Sequence, residues 1–219
     1  MAEFCKVVYI STMNNDSPRA LVIVDVQNDF CTGGALEVKN GEDVVPIINK
    51  MSPGFDLVIA TQDYHPAGHQ SFASSHGKKP MEMMRINGVD SVLWPDHCVQ
   101  NHSGSDFHKD LNLSCVKIIL RKGMNPEVDS YSAFLENDKK TSTGLEGYLK
   151  GMGVRDVYFC GLATDYCVAF SALDAVSLGF HAKVILDATR PVDFPPQNND
   201  KMIREMVSAG VEIIRHDEL

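Results

Sequence analysis

Val157 to Leu178, reading VYFCGLATDYCVAFSALDAVSL, narrows what this chain can fold into more than any other stretch. An apolar run suited to a buried strand breaks at Gly161. The pattern resumes after Thr164-Asp165 with Val168, Ala172, Ala175 and Val176 at helical spacing. Asp165 is expected at the N-cap or in the first turn, where its carboxylate accepts orphan amide hydrogens. Cys167 then falls in the first helical turn, where amide donors and the positive helix end favour a thiolate. A buried structural cysteine fits the same position.

The rest of the chain repeats this alternation. Apolar runs at Ala20–Val24, Asp56–Ala60, Val116–Leu120, Val154–Cys160, Ala182–Leu186 and Val211–Ile214 read as six strands. Between them, helices are expected at Gly41–Met51, Thr143–Lys150, after Cys167 and at Gln197–Ala209, with a short one at Ser130–Phe134. Cys5–Ile10 reads as an edge strand or an ordered arm. Strands separated by helices imply right-handed βαβ units. The expected fold is a three-layer α/β/α sandwich around a mostly parallel six-stranded sheet. With 219 residues and no dividing linker or repeat, residues 1–219 read as one domain. From His65 to Gly104 regular periodicity is lost, yet Phe72, Trp94 and several Met residues argue for packing. We read about 61–110 as a functional loop region or lid.

Charge and cysteine usage limit the partners. A formal net charge of −9 disfavours nonspecific nucleic-acid binding and attraction to an anionic membrane. No apolar run approaches the roughly 20 residues that span a bilayer. Six cysteines are too few for a disulfide scaffold of this length and read as reduced thiols, which points to the cytoplasm. The closing His216-Asp217-Glu218-Leu219 matches a retention address that requires entry into the secretory route. The amino terminus lacks an apolar core after a basic region, so the match reads as coincidence. No segment assigns an oligomeric state.

Two constellations carry chemistry. Asp25, Lys122 and Cys167 all follow expected strands, so a parallel sheet brings them to one edge. Asp25 can take the thiol proton, and Lys122 can stabilise both anions. The plainer role for Asp25 is to cap the next turn. The second set is Asp63, His65 and His97, whose carboxylate and imidazoles suit a divalent transition metal. Ser71 can make a water-mediated contact there. A His-rich polar loop would give the same spacing by chance, and His69, His76, His102 and His108 read as surface or loop residues.

Five pieces, in order, extend this reading: Asp25-Val26-Gln27-Asn28-Asp29-Phe30, Thr61-Gln62-Asp63-Tyr64-His65-Pro66, Trp94-Pro95-Asp96-His97-Cys98, Arg121-Lys122-Gly123 and Gly161-Leu162-Ala163-Thr164-Asp165-Tyr166-Cys167-Val168. With them the chain resembles the metal-dependent nicotinamidase branch of the isochorismatase-like cysteine hydrolases. The resemblance implies a catalytic triad of Asp25, Lys122 and Cys167. It also implies an oxyanion hole from the amides of Ala163 and Cys167, after a cis Leu162–Ala163 peptide. Asp63, His65 and His97 would hold one divalent ion, zinc first, with manganese or iron as alternatives. Phe30 and Trp94 would wall an aromatic pocket, joined by Leu162, Tyr131 and Tyr166. Ser71 stands where some relatives carry a histidine ligand, which leaves that place to water. The implied reaction is hydrolysis of a pyridine carboxamide, nicotinamide and also pyrazinamide, in NAD salvage. The rivals are another amide or carbamoyl hydrolase of the superfamily, and a noncatalytic interaction module on the same fold.

Overall fold

A computed structural model describes residues 17–86 and 88–219, so the expected arm at Cys5–Ile10 lies outside the described residues. The chain forms β1 (Arg19–Val24), α1 (Val44–Met51), β2 (Leu57–Asp63), β3 (Met83–Ile86), β4 (Val89–Val92) and β5 (Val116–Lys122). It continues through α2 (Leu145–Gly151), β6 (Asp156–Leu162), α3 (Ala169–Ser177), β7 (His181–Arg190), α4 (Asn198–Ala209) and β8 (Glu212–Ile214). Six strands form one parallel sheet in the order β5-β2-β1-β6-β7-β8. This is the expected three-layer α/β/α sandwich.

The period of two along β1 explains the layers. Leu21 and Ile23 pack with Val44, Val45, Ile48 and Met51 of α1 on one face. Ala20, Val22 and Val24 pack with Leu145 and Leu149 of α2, Ala172 and Ala175 of α3, and Met202 and Met206 of α4 on the other. A strand buried on both faces is apolar at every position, as ALVIV is. The order reverses direction around β1, with β2 on one side and β6 on the other. A crevice therefore opens at the carboxyl ends of these strands, where doubly wound sheets bind ligands.

Three local expectations are corrected. Ser130–Phe134 forms bends and no helix. Its amide hydrogens go to side chains instead: Ser130 N–H to Asp129 Oδ1, Ala133 N–H to Ser171 Oγ, and Phe134 N–H to Ser132 Oγ. The turn after β6, Thr164–Val168, is a π-helical turn; Asp165 lies in its first turn as expected, but its side chain does not cap it. The buried Asp165 carboxylate points away from the helix and accepts the amides of Val192 and Asp193 and the Asn198 side chain. Within the segment that lost periodicity, β3 and β4 pair as a small antiparallel hairpin. No helix among the described residues is long and apolar enough to cross a membrane.

Candidate active site

The carboxyl ends of the strands gather four predicted residues. Asp25 follows β1 directly, Asp63 and Lys122 end β2 and β5, and Cys167 sits in the turn after β6. Asp63 and Lys122 are paired residues of adjacent strands, which fixes their proximity before any side chain is considered. Asp25 lies in left-handed backbone at φ 46°, where aspartate is among the more tolerant residues. Thr61 anchors it from β2: the Asp25 amide donates to Thr61 Oγ, and the Thr61 hydroxyl donates to Asp25 Oδ1 at 2.6 Å.

Lys122 joins the two constellations. Its buried ammonium lies 2.8 Å from Asp25 Oδ2, 2.7 Å from Asp63 Oδ1, 2.9 Å from the Ser130 carbonyl and 3.3 Å from Cys167 Sγ. Carboxylate oxygens of Asp25 and Asp63 and the Cys167 sulfur come within 4.8 Å of one another. Asp25 Oδ2 takes part in the ion pair but accepts no well-aligned hydrogen bond, so it retains acceptor capacity for a thiol proton. Burial pushes the Asp25 carboxyl up, and Lys122 only partly opposes that. Burial likewise pushes the Cys167 thiol well above its ordinary value against the pull of Lys122. A raised carboxyl is a stronger conjugate base for a thiol that rests protonated.

Asp63 divides its two oxygens. Oδ1 takes Lys122, while Oδ2 faces Nε2 of His65 at 3.5 Å and Nε2 of His97 at 3.8 Å. Each imidazole donates its Nδ1 hydrogen to a backbone carbonyl, His65 to Gly123 and His97 to Pro95. That fixes the tautomer with both Nε2 lone pairs turned toward the carboxylate. Three buried acceptors thus converge with no donor among them in the neutral state, an arrangement that calls for a cation. Burial lowers the basicity of both rings. It holds His97 at about 4, whereas the Asp63 carboxylate outweighs it at His65 and raises that ring. The donor set fits a divalent ion of the zinc type.

Above these groups lies a pocket lined by Phe30, Trp94, Tyr131, Tyr166, Ala163 and Cys167 among others. Trp94 Nε1 donates to Tyr131 Oη at 3.1 Å, and the Tyr166 ring meets Trp94 and Tyr131 edge to face. Tyr166 Oη donates to the Phe194 carbonyl, which ties this wall to the segment before α4. The Leu162–Ala163 peptide is cis, as the motif implied. Leu162 differs from expectation: it is wholly buried in the core and does not line the pocket. The Ser71 hydroxyl donates to His69 Nδ1 at 2.7 Å, because His69 Nε2 gives its hydrogen to the Asn125 carbonyl.

Sequence reading missed several contributors. His69 was read as a surface or loop residue, yet it is fully buried and lies 4.3 Å from the His65 ring, centroid to centroid. Asp129 lines the pocket and approaches His65 and His69. Gln27 donates to the Asp63 carbonyl and accepts the Asp63 amide, so its side chain holds that backbone from both sides. The signal for Gln27 was its place two residues after a buried strand, inside the Asp25–Phe30 motif.

The sequence matches the isochorismatase domain over residues 19–218. The chain belongs to the isochorismatase family. Within this family, it is 44% identical to the nicotinamidase of Escherichia coli strain K12 over 201 residues, covering 90% of this chain and 94% of that protein. The nicotinamidase pyrazinamidase of Acinetobacter baumanii superposes with a TM-score of 0.91 at 44% identity, covering 93% of this chain and 99% of that one. The pyrazinamidase of Pyrococcus horikoshii, solved in complex with zinc, matches with a TM-score of 0.74 at 35% identity, covering 90% and 99%. This isochorismatase-family chain is therefore closely related to nicotinamidases and pyrazinamidases from several species.

Proposed function

We propose that this chain is a nicotinamidase that hydrolyses nicotinamide to nicotinate and ammonia through a thioester on Cys167, with pyrazinamide as a second substrate. The observation that carries the reading is the Lys122 ammonium, held between Asp25, Asp63 and the Cys167 sulfur at the floor of an aromatic pocket. Close relatedness to nicotinamidases supports it further.

Phe30, Trp94, Tyr131 and Tyr166 receive the flat ring and exclude water around the carboxamide. Asp25 accepts the Cys167 proton, and the sulfur attacks the amide carbon. The amides of Ala163 and Cys167 hold the developing oxyanion. Asp25 returns its proton to the departing ammonia, which leaves the acyl group on sulfur. Asp25 then takes a proton from water as that water attacks the thioester, and the thiol is restored as nicotinate leaves. Lys122 keeps the Asp25 carboxylate aimed at the sulfur and offsets charge on both. Asp63, His65 and His97 would hold a divalent ion, and the zinc complex of the Pyrococcus relative supports zinc. When bound, such an ion would supply a Lewis-acid anchor for the ring nitrogen of the substrate. Residues 1–219 form one hydrolase domain, in which about 61–110 is the metal-holding loop or lid region. The five described cysteines are all free thiols, which supports a cytoplasmic setting.

Acid quench of the metal-loaded protein during turnover, followed by peptide mass spectrometry, tests this directly. A nicotinoyl group is expected on Cys167. An adduct on Cys98 or Cys160 instead would overturn the assignment.

A further inference from the structure

The Asp29 carboxylate lies outside the catalytic and ligand sets, yet it is wired to both histidines. Its Oδ2 accepts the Cys98 amide at 2.7 Å, and its Oδ1 accepts the Ala35 amide at 3.2 Å. Cys98 directly follows His97 and sits in left-handed backbone at φ 47°. The carbonyl of the same Cys98 accepts the His65 amide at 3.0 Å. One residue is thus held at its N–H by Asp29 and at its C=O by His65, with His97 attached to it. On the other side, Phe30 follows Asp29 in sequence and meets the His97 ring edge to face at 5.5 Å. Gly104 closes over the carboxylate: a Cβ there would come within 2.1 Å of Asp29 Oδ2. Cys98 itself is fully buried, so no water replaces a lost partner cheaply.

From this geometry we infer that Asp29 is a positioning residue that sets the spacing of the His65 and His97 imidazoles through the Cys98 backbone, and so tunes how tightly Asp63, His65 and His97 hold a divalent ion. It acts one shell further out than the carbonyls of Gly123 and Pro95 that orient the rings. Those carbonyls fix ring direction, and Asp29 fixes where the two ring-bearing backbones stand relative to each other. This inference rests on the proposed metal site but not on the proposed substrate.

The test measures zinc affinity by competition with a chromophoric chelator, and the visible absorption of the cobalt-substituted protein. It compares the parent with Asp29→Ala, Asp29→Asn and Gly104→Ala. Outer-shell partners of metal ligands typically change affinity 10- to 100-fold. Asp29→Ala is expected to weaken zinc binding at least about tenfold and to alter the cobalt spectrum. Asp29→Asn, which keeps an acceptor oxygen, is expected to recover much of both. Gly104→Ala crowds the carboxylate without removing it and should shift the cobalt spectrum in a folded protein, which keeps the question answerable if Asp29→Ala fails to fold. Parental affinity and an unchanged cobalt spectrum in folded Asp29→Ala or Gly104→Ala would overturn the inference alone. A parent that binds neither ion would overturn it together with the metal site, whatever the substrate proves to be.

Discussion

Charge placement around Lys122 makes the residue-level expectations separable. Asp25→Asn keeps the shape but removes the proton acceptor, and turnover should fall about 10²- to 10⁴-fold with little change in thermal midpoint. Lys122→Met removes the cation shared by two buried carboxylates, which leaves Asp25 and Asp63 facing each other. Breaking a buried pair this way costs about 3–5 kcal/mol, so this variant should lose both turnover and stability. Steady-state rates and thermal melts distinguish the two, and parental rates in both variants would remove Asp25 and Lys122 from the chemistry. His65 gives a proton-linked expectation. Burial alone would lower this ring, but Asp63 raises it above its ordinary value, so in the metal-free protein it retains a proton below that raised value. His97, held at about 4, is already neutral at physiological pH. Metal binding requires both rings neutral. Binding should therefore release a proton from His65 at any pH below that raised value, and affinity should rise with pH until that ring is deprotonated. Calorimetry in buffers of different ionisation enthalpy measures this directly; metal binding with no proton release and no rise in affinity with pH, at any pH where the protein stays folded, would contradict the assignment.

At the level of elements, the passage from β6 into the Cys167 turn depends on Gly161. Its φ of +105° disfavours any L side chain, and a Cβ would sit 2.1 Å from the Val24 carbonyl on the neighbouring β1. Gly161→Ala should cost at least about 3 kcal/mol, read as a lowered thermal midpoint, because backbone rather than a flexible side chain must move. A melt within a degree of the parent would show that the turn can yield. Gly161 was visible in sequence as a break in an apolar run, and so were β1, β2 and β6, because strands buried on both faces are apolar at consecutive positions. Asp25 and Cys167 were legible for the same reason, since each follows such a run; Lys122 ends the edge strand β5, whose apolar residues stood out although the strand is only half-buried. Other features were hidden. The β3–β4 hairpin is short and half exposed, so it carries no alternation strong enough to read. Ser130–Phe134 looked helical because side-chain capture of its amide hydrogens by Asp129, Ser171 and Ser132 leaves no trace in apolar spacing. His69 looked like one more loop histidine, since its burial depends on contacts with His65, Phe72 and Asn125 that only the folded chain makes. Asp165 does stand in the first turn, but its side chain was expected to cap there because its partners, Val192, Asp193 and Asn198, come from a segment 27 to 33 residues later.

At the scale of the whole molecule, the aromatic pocket touches a thiol at its floor and two of the three convergent ligands, Asp63 and His97, in its wall. Substrate choice follows from that adjacency. Nicotinamide, pyrazinamide and benzamide all offer an aromatic carboxamide, but benzamide lacks the ring nitrogen that would face Asp63, His65 and His97. Its ring should still enter between Phe30 and Trp94, while the fraction aligned for attack falls. Because a misplacement of about 1 Å costs roughly 10²-fold in an oriented reaction, kcat/KM for benzamide should lie at least about 100-fold below that for nicotinamide. Removing the ion should lower nicotinamide toward the benzamide level and leave benzamide little changed. Equal turnover of the two, unaffected by chelation, would defeat this account of ring recognition even if the thiol site survived. The most direct test of hydrolysis at Cys167 is the rate of ammonia release from nicotinamide by the zinc-loaded parent and by Cys167→Ala prepared in the same way. The account predicts stoichiometric ammonia and nicotinate from the parent, and a rate at least about 10³-fold lower in a folded Cys167→Ala. No ammonia from the parent, or undiminished release from Cys167→Ala, would contradict it.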